Sequence, residues 1–96
     1  MTKIFLKFFS KFKEFTNKDQ MIMNLNEKFI PLMLIIEKLI GLYNLDFKKL
    51  IFDENEEINS EIIILKNDKD ISILNEDEKY IKDNDTLVFI STLHGG

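Results

Sequence analysis

Apolar residues occupy every second position in two segments near the N-terminus, and this alternation is typical of β-strands with one buried face. The positions are Ile4, Leu6 and Phe8 in the first segment and Met21, Met23 and Leu25 in the second. Ser10-Lys11 is expected to turn the chain, and residues 16–19 are expected to form a loop. The first quarter of the chain is therefore predicted to form a hairpin.

A helix is predicted next, because apolar residues then recur at intervals of three and four. These residues are Leu32, Ile35, Ile36, Leu39 and Tyr43. Asn26 is a suitable cap, Pro31 suits the first turn, and the helix should end between Gly41 and Asn44. Residues 45–60 are expected to be irregular, with four apolar residues packing back as a short turn: Phe47, Leu50, Ile51 and Phe52.

Three further strands are predicted in the C-terminal part. A strand at residues 61–65 is followed by a turn at Asn67-Asp68, a short strand or edge segment at 71–74 and a single helical turn within 76–82. A polar turn at 83–85 leads into the last strand, Thr86–Ser91. This order predicts an α+β fold in which a mixed sheet packs on one main helix, with residues 1–96 forming a single domain.

The residue types present exclude several kinds of chemistry. The chain has no cysteine, so disulfides and thiolate metal sites cannot form, and its one histidine, His94, argues against a histidine-based triad. Its three glycines, at 41, 95 and 96, cannot make a glycine-rich phosphate loop. The net charge is −4 and the basic residues cluster only near the N-terminus, which argues against direct nucleic-acid binding.

The acidic residues do not form a convincing catalytic or metal-binding group. Residues 53–57 lack the spacing and the glycine of a calcium loop, so a solvated surface loop is favoured over a metal site. The pairs Glu56/Glu57 and Asp83/Asp85 lie in predicted loops, without a cleft to perturb them. These patterns favour a carried or recognised protein over an enzyme.

The N-terminal segment, residues 1–13, is basic, amphipathic and poor in acids, as some organelle transit peptides are. It lacks a small-residue cleavage site, so the first hairpin is the favoured interpretation, and targeting is the alternative.

The apolar run at 29–36 is too short to span a bilayer. We expect a cytoplasmic protein that does not contact membranes. We also expect a monomer, although the sequence does not determine the oligomeric state.

The sequence ends with Gly95-Gly96, shortly after the last predicted strand. Two residues without a Cβ atom allow close approach to another surface, so the carboxylate of Gly96 could be threaded into a partner's active site and activated there. Leu93 and His94 would set the depth and orientation of the tail. For His94, a solvated residue on a flexible tail is an equally good interpretation.

The segment Phe89-Ile-Ser-Thr-Leu-His-Gly-Gly96 resembles the C-terminus of the ubiquitin-related modifier family. Ile62-Ile-Ile-Leu-Lys-Asn-Asp68 resembles the family's third strand and the turn after it, and the polar turn at 83–85 also fits. The first two thirds agree in element order but share no motif with the family. The resemblance implies a ubiquitin-like β-grasp fold with residues 92–96 as an exposed, flexible tail.

The resemblance also implies a function. An ATP-dependent activating enzyme would adenylate Gly96, and a persulfide would convert it to a thiocarboxylate. The sulfur would serve the 2-thiolation of tRNA wobble uridines through a tRNA thiolase complex, and Gly96 could also be conjugated to lysines of target proteins. Thr92, Leu93, His94 and Gly95 would be the segment that the enzyme recognises. ATP and Mg²⁺ would belong to that enzyme, because this chain has no motif that could bind them.

The last strand should also present a docking surface. If Leu87 and Phe89 point into the core, Val88 and Ile90 point outward, because side chains alternate along a strand. Together with one of residues 62–65 they would form an exposed apolar patch for the activating enzyme. The opposite register, with Val88 and Ile90 in the core, is the alternative. Two other functions also stay open: a ubiquitin-like binding module that is never activated, and a sulfur carrier for cofactor synthesis.

Overall fold

Seven strands and three helices make up the part of the chain that this computed structural model describes, residues 1–92. The strands are β1 (Thr2–Phe8), β2 (Gln20–Leu25), β3 (Ile30–Pro31), β4 (Ile62–Lys66), β5 (Lys69–Asp70), β6 (Tyr80–Ile81) and β7 (Thr86–Ser91). The helices are α1 (Lys11–Thr16), α2 (Leu32–Tyr43) and α3 (Leu45–Ile51), and two 3₁₀ turns cover Ile71–Ile73 and Asp77–Lys79.

Five of the strands form one mixed sheet in the order β2-β1-β7-β4-β5. The central strands β1 and β7 run parallel, with Phe5 opposite Thr86 and Phe8 opposite Phe89. The other neighbours in the sheet are antiparallel. The two shortest strands, β3 and β6, form a separate antiparallel pair. The predicted α+β architecture, a mixed sheet with one main helix, is therefore confirmed.

The hydrophobic core lies between the sheet and α2. Ile4, Leu6 and Phe8 of β1 are buried, as their alternation predicts. The helix contributes three buried residues at helical spacing, Ile35, Ile36 and Leu39. Full burial of one such side chain stabilises the fold by roughly 1.5–3 kcal/mol, so α2 is the main helical support of the sheet.

The link between β1 and β2 is longer and more ordered than a hairpin turn. Ser10 adopts a positive φ of 56°, and the chain then forms α1 instead of returning directly. Phe12 of this helix is fully buried, and Thr16 Oγ1 donates to the Phe12 carbonyl oxygen over 2.8 Å. The expected turn at Ser10-Lys11 is thus replaced by a short helix whose buried phenylalanine joins the core.

Residues 45–51 were expected to be irregular, and this is wrong, because they form helix α3. Asn44 caps it by accepting a hydrogen bond from the Asp46 N–H through its side chain, over 3.0 Å. Phe47, Leu50 and Ile51 are buried on its inner side. Leu50 and Ile51 follow Phe47 by three and four positions, so all three lie on one helical face that packs on the core.

Two smaller predictions are also wrong. Helix α2 begins at Leu32 with Pro31 as its N-cap residue, so Asn26 does not cap it. The segment 71–74 was expected to be a short strand or edge segment, but it contains a 3₁₀ turn at Ile71–Ile73, which begins where the Asp70 carboxylate accepts from the Ser72 N–H over 2.9 Å. Local side chain to backbone hydrogen bonds of this kind compete with strand pairing.

The polar turns occur where the sequence predicts them. Asn67 and Asp68 have φ values of 49° and 72°, and Asn84 has a φ of 69°. Asparagine and aspartate tolerate this left-handed region better than most residues, which explains their use here. Within residues 1–92, no helix is long and apolar enough to cross a membrane.

Candidate functional site at the end of the last strand

Strand β7 is held on both sides, which fixes the point where the chain leaves the sheet. On one side it pairs with β4, from Lys66 opposite Leu87 to Ile62 opposite Ser91. On the other side it pairs with β1, and the Phe9 N–H extends this contact by donating to the Phe89 carbonyl oxygen over 3.0 Å. Any residue that follows Ser91 therefore starts from a rigid position.

An aromatic cluster supports the same end of the strand from beneath. The ring of Phe89 lies 5.8 Å from that of Phe8 and 5.5 Å from that of Phe12, measured between ring centroids. Phe12 in turn contacts Phe47 of α3 at 5.6 Å, and Phe47 contacts Tyr43 of α2 at 5.7 Å. Three helices and two strands thus meet in one group of rings under the exit of β7, in which the four phenylalanines are fully buried and Tyr43 is partly buried.

Thr92 is tied to the strand next to it. Both its backbone N–H and its Oγ1 donate to the carbonyl oxygen of Glu61, over 2.8 and 2.6 Å. Glu61 is itself positioned by the Asn59 side chain, which accepts from the Glu61 N–H over 3.0 Å. Thr92 is exposed, and these hydrogen bonds fix it as the root of the expected 92–96 tail. Its role in recognition stays a prediction.

The sheet face opposite the helices carries a band of apolar side chains, which we call the outer apolar face. The strand registers align its residues across four strands: Phe5, Ile22, Ile63, Leu65, Val88 and Ile90. Ile22 is the most open of them, at 52% exposure. Lys3 and Lys7 flank Phe5 on the same face.

The alternation predicted for β7 is confirmed, since Leu87 and Phe89 belong to the core and Val88 does not. The expected exposure of Val88 is wrong, however, because only 9% of its surface is accessible. Val88 lies on a central strand with Lys7 opposite it on one side and Leu65 on the other, so this small side chain has a larger neighbour on both sides. Ile90 is more accessible, because β1 ends at Phe8 and leaves Ile90 with a strand neighbour on one side only.

The carboxylates of Asp53 and Asp83, considered above as possible functional groups, accept hydrogen bonds from backbone N–H groups. The Asp53 carboxylate accepts from the N–H groups of Asn55 and Glu57, over 2.8 and 3.1 Å, and closes the acidic loop on itself. The Asp83 carboxylate accepts from the Lys3 N–H over 2.7 Å and joins its turn to β1. Across residues 1–92 there is no group of three or more acidic or histidine side chains that could hold a metal ion.

Comparison with known proteins decides the family. The model of the Urm1 (ubiquitin related modifier) family matches residues 4–96. This chain belongs to that family. A curated ubiquitin-related modifier 1 from Candida glabrata is 50% identical over 46 residues, which cover 48% of this chain and 47% of the relative. The matched segment thus spans about half the length of that curated relative.

Solved structures confirm the ubiquitin-like β-grasp fold. The small archaeal modifier protein 1 (SAMP1) of Methanosarcina acetivorans superimposes with a TM-score of 0.75 at 22% identity, covering 100% of this chain and 98% of that one. Urm1 from Trypanosoma brucei gives a TM-score of 0.72 at 23% identity, covering 99% and 96%. At such identities these matches concern the fold.

Four residues of the Urm1-type tail motif lie outside the described residues: Leu93, His94, Gly95 and Gly96. Their predicted roles therefore stay predictions. Of the candidate site, the structure places Thr92, Val88 and Ile90 at one end of β7. Sequence reasoning missed Glu61, which anchors Thr92, and also Phe5 and Ile22 on the outer apolar face. The available signal for an outward-facing phenylalanine was that Phe5 shares its strand face with Lys3 and Lys7.

Proposed function

We propose that this chain is a ubiquitin-like modifier and sulfur carrier whose reactive atom is the carboxylate carbon of Gly96. An ATP-dependent activating enzyme adenylates Gly96 and supplies the ATP and Mg²⁺ sites. The resulting thiocarboxylate donates sulfur to a tRNA thiolase complex for 2-thiolation of wobble uridines, or Gly96 is conjugated to lysines of target proteins. The proposed compartment is the cytoplasm. The observation that carries this proposal is the family match, which includes the Gly-Gly end.

The chemistry requires activation before sulfur transfer. A carboxylate is a poor electrophile, because its negative charge repels nucleophiles and oxide is a very poor leaving group. Attack of the carboxylate on the α-phosphorus of ATP releases pyrophosphate and gives an acyl adenylate. A persulfide sulfur then displaces AMP, and a thiol of the enzyme cleaves the sulfur–sulfur bond. The products are the thiocarboxylate and an enzyme disulfide.

The chain's own contribution is to present the tail at a defined distance from a rigid body. Thr92 is fixed by its two hydrogen bonds to Glu61. Residues 93–96 can extend at most about 14 Å beyond it, since an extended chain spans roughly 3.3–3.6 Å per residue. The adenylation site must therefore lie within that distance of the end of β7 when the enzyme is docked.

The part of the outer apolar face on β4 and β7, formed by Ile63, Leu65, Val88 and Ile90, is the proposed docking surface for the activating enzyme. Ile90 is its best test, because this residue is partly exposed and close to the root of the tail. Ile90→Asp is expected to slow adenylation while the melting temperature changes by only a few degrees. Val88→Asp is a poorer test, because Val88 is nearly covered and a buried aspartate would destabilise the fold. Ile73→Asp, at a site that is 76% exposed on the 3₁₀ turn after β5, is the matched control.

Intact-mass spectrometry tests the central proposal. The chain is incubated with a Urm1-type activating enzyme, ATP, Mg²⁺ and a persulfide sulfur source. The expected product is heavier by the difference between one sulfur and one oxygen atom, and deletion of Gly96 should abolish the gain. A variant with one residue added after Gly96 should also fail to react. Normal function of the extended variant in tRNA thiolation would instead support a module that works without activation.

A further inference from the structure

The two edges of the main sheet differ in length and charge. Strand β5 forms one edge with only two residues, Lys69 and Asp70, and both are charged. Strand β2 forms the other edge with six residues, Gln20–Leu25, none of which is charged or proline. Proteins usually protect a long edge strand with charge, proline or a bulge, because its free backbone groups can pair with another chain. The β2 edge has none of these protections.

The hydrogen-bond pattern shows which backbone groups of β2 are free to pair. The Phe8 N–H donates to the Asp19 carbonyl oxygen over 2.8 Å, so Phe8 and Asp19 form a hydrogen-bonded pair. Such pairs recur at every second residue of an antiparallel ladder, which turns Met21 and Met23 toward β1. The N–H and C=O groups of Gln20, Ile22 and Asn24 therefore point away from the sheet.

We propose that the β2 edge pairs with the β2 edge of a second copy of this chain, in antiparallel orientation, with a two-fold axis at Ile22. In this register, Ile22 lies opposite Ile22 of the other copy, and Gln20 lies opposite Asn24. The three outward residues of each strand then form about six hydrogen bonds between the copies, as three hydrogen-bonded pairs. The result is one continuous sheet of ten strands.

The side chains on this edge suit a second copy. A two-fold contact places a surface against itself, so charged groups near the axis would meet like charges. The axis residue is an isoleucine with 52% exposure, and its flanking partners, Gln20 and Asn24, are neutral amides that can hydrogen-bond to each other. The register also brings Lys18 of one copy close to Glu27 of the other, near each end of the contact.

The contact is expected to be weak. Stable complexes bury roughly 1,200–2,000 Å², and one six-residue strand pair buries less than that. We therefore expect a dimer that forms at about 0.1–1 mM, so that the monomer predominates at low concentration.

Sedimentation equilibrium of the full chain, at concentrations up to about 1 mM, tests the proposal. Ile22→Lys places two like charges opposite each other and removes the apolar pair, so the dimer dissociation constant should rise about thirtyfold or more. Ile73→Lys makes the same change at an exposed site near the opposite edge and should leave the constant unaltered. Amide exchange at Gln20, Ile22 and Asn24 should slow with rising concentration. A chain that is monomeric throughout, or an Ile22→Lys variant that dimerises like the parent, overturns the proposal.

Single cysteines test the register, because the chain has no cysteine of its own. Residues opposite each other in a hydrogen-bonded pair have Cα atoms about 5.5 Å apart, within the range of a disulfide. Ile22→Cys should therefore form a disulfide-linked dimer with oxidised glutathione. Asn24→Cys is the matched control, since its two copies would lie about 14 Å apart along the strands. Faster cross-linking through position 24 than through position 22 would show that the proposed register is wrong.

Discussion

Replacing Phe89 by alanine should destabilise the fold strongly, and the structure gives the reason. Phe89 is fully buried at the centre of the aromatic cluster, with the rings of Phe8 and Phe12 within 5.8 Å. It also stands on the strand that joins the two halves of the sheet. Loss of this ring removes contacts to β1 and α1 at once, and the surrounding strands are too constrained by pairing to close the cavity.

The expected cost is large relative to the whole stability of the domain. Phenylalanine to alanine changes in protein cores cost about 3–5 kcal/mol. A domain of this length has a total unfolding free energy of about 5–14 kcal/mol, at roughly 0.05–0.15 kcal/mol per residue. The variant should thus lose about a fifth or more of its stability, and its melting temperature should fall by at least about 12 °C.

Ile90→Ala is the matched comparison, because Ile90 is the next residue and points to the other face. It is only partly buried, so about 1 kcal/mol should be lost, near half the value of a fully buried side chain. Both losses of stability can be measured by urea unfolding monitored with circular dichroism, because the chain has no tryptophan to serve as a fluorescence probe. A loss below about 1 kcal/mol for Phe89→Ala, or a larger loss for Ile90→Ala, would contradict the inward orientation of Phe89.

Three further substitutions test single features of the fold. Gly41→Ala should stabilise by about 0.5–1 kcal/mol in thermal unfolding, because Gly41 lies within α2 and an added Cβ meets no atom within 4 Å. Asn67→Ala should cost about 0.5–1.5 kcal/mol, since the side chain accepts from the Thr86 N–H over 2.9 Å; an unchanged urea midpoint would contradict this role. Thr92→Val should speed amide exchange at residue 92 by removing the Oγ1 hydrogen bond to Glu61, and Thr92→Ser should restore the slower rate.

The strands and the main helix were predictable because their burial repeats along the sequence. Strand β7 is the clearest case: its bounds agree with the prediction, and Leu87 and Phe89 face the core as expected. The left-handed turn at Asn67-Asp68 was predictable for a different reason, since few residue types accept that backbone conformation. In both cases a local preference and the global fold favour the same structure.

The two short helices, α1 and α3, were not predictable in the same way. Each has fewer than eight residues, so a helical period cannot repeat often enough to stand out. Their stability comes from tertiary contacts, above all between Phe12 and Phe47, which are 35 positions apart in the chain and pack ring against ring at 5.6 Å. A contact of this kind leaves no signal in either segment alone.

At the candidate site, the position of Thr92 also depends on a contact between distant parts of the chain, which the sequence does not reveal. The family resemblance pointed to the residues after Ser91, but nothing in the sequence indicated that Thr92 would be held by Glu61, across 31 positions. The near burial of Val88 was hidden for a related reason, because it depends on the neighbours that β1 and β4 supply. Strand alternation predicts which face a side chain is on, but its exposure depends on what stands beside it.

The two proposals lead to a joint prediction, because Thr92 and the dimer edge lie on opposite sides of β7. Thr92 is anchored to the β4 side, whereas β2 lies beyond β1, about 10 Å from β7. Pairing through β2 therefore leaves Thr92 of each copy separated from the contact by β1 and β7. The disulfide-linked Ile22→Cys dimer should accept one sulfur atom per chain at the rate of the reduced protein, measured by intact mass. A linked dimer that fails to react while its reduced form reacts normally would show that the activating enzyme also needs the β2 edge.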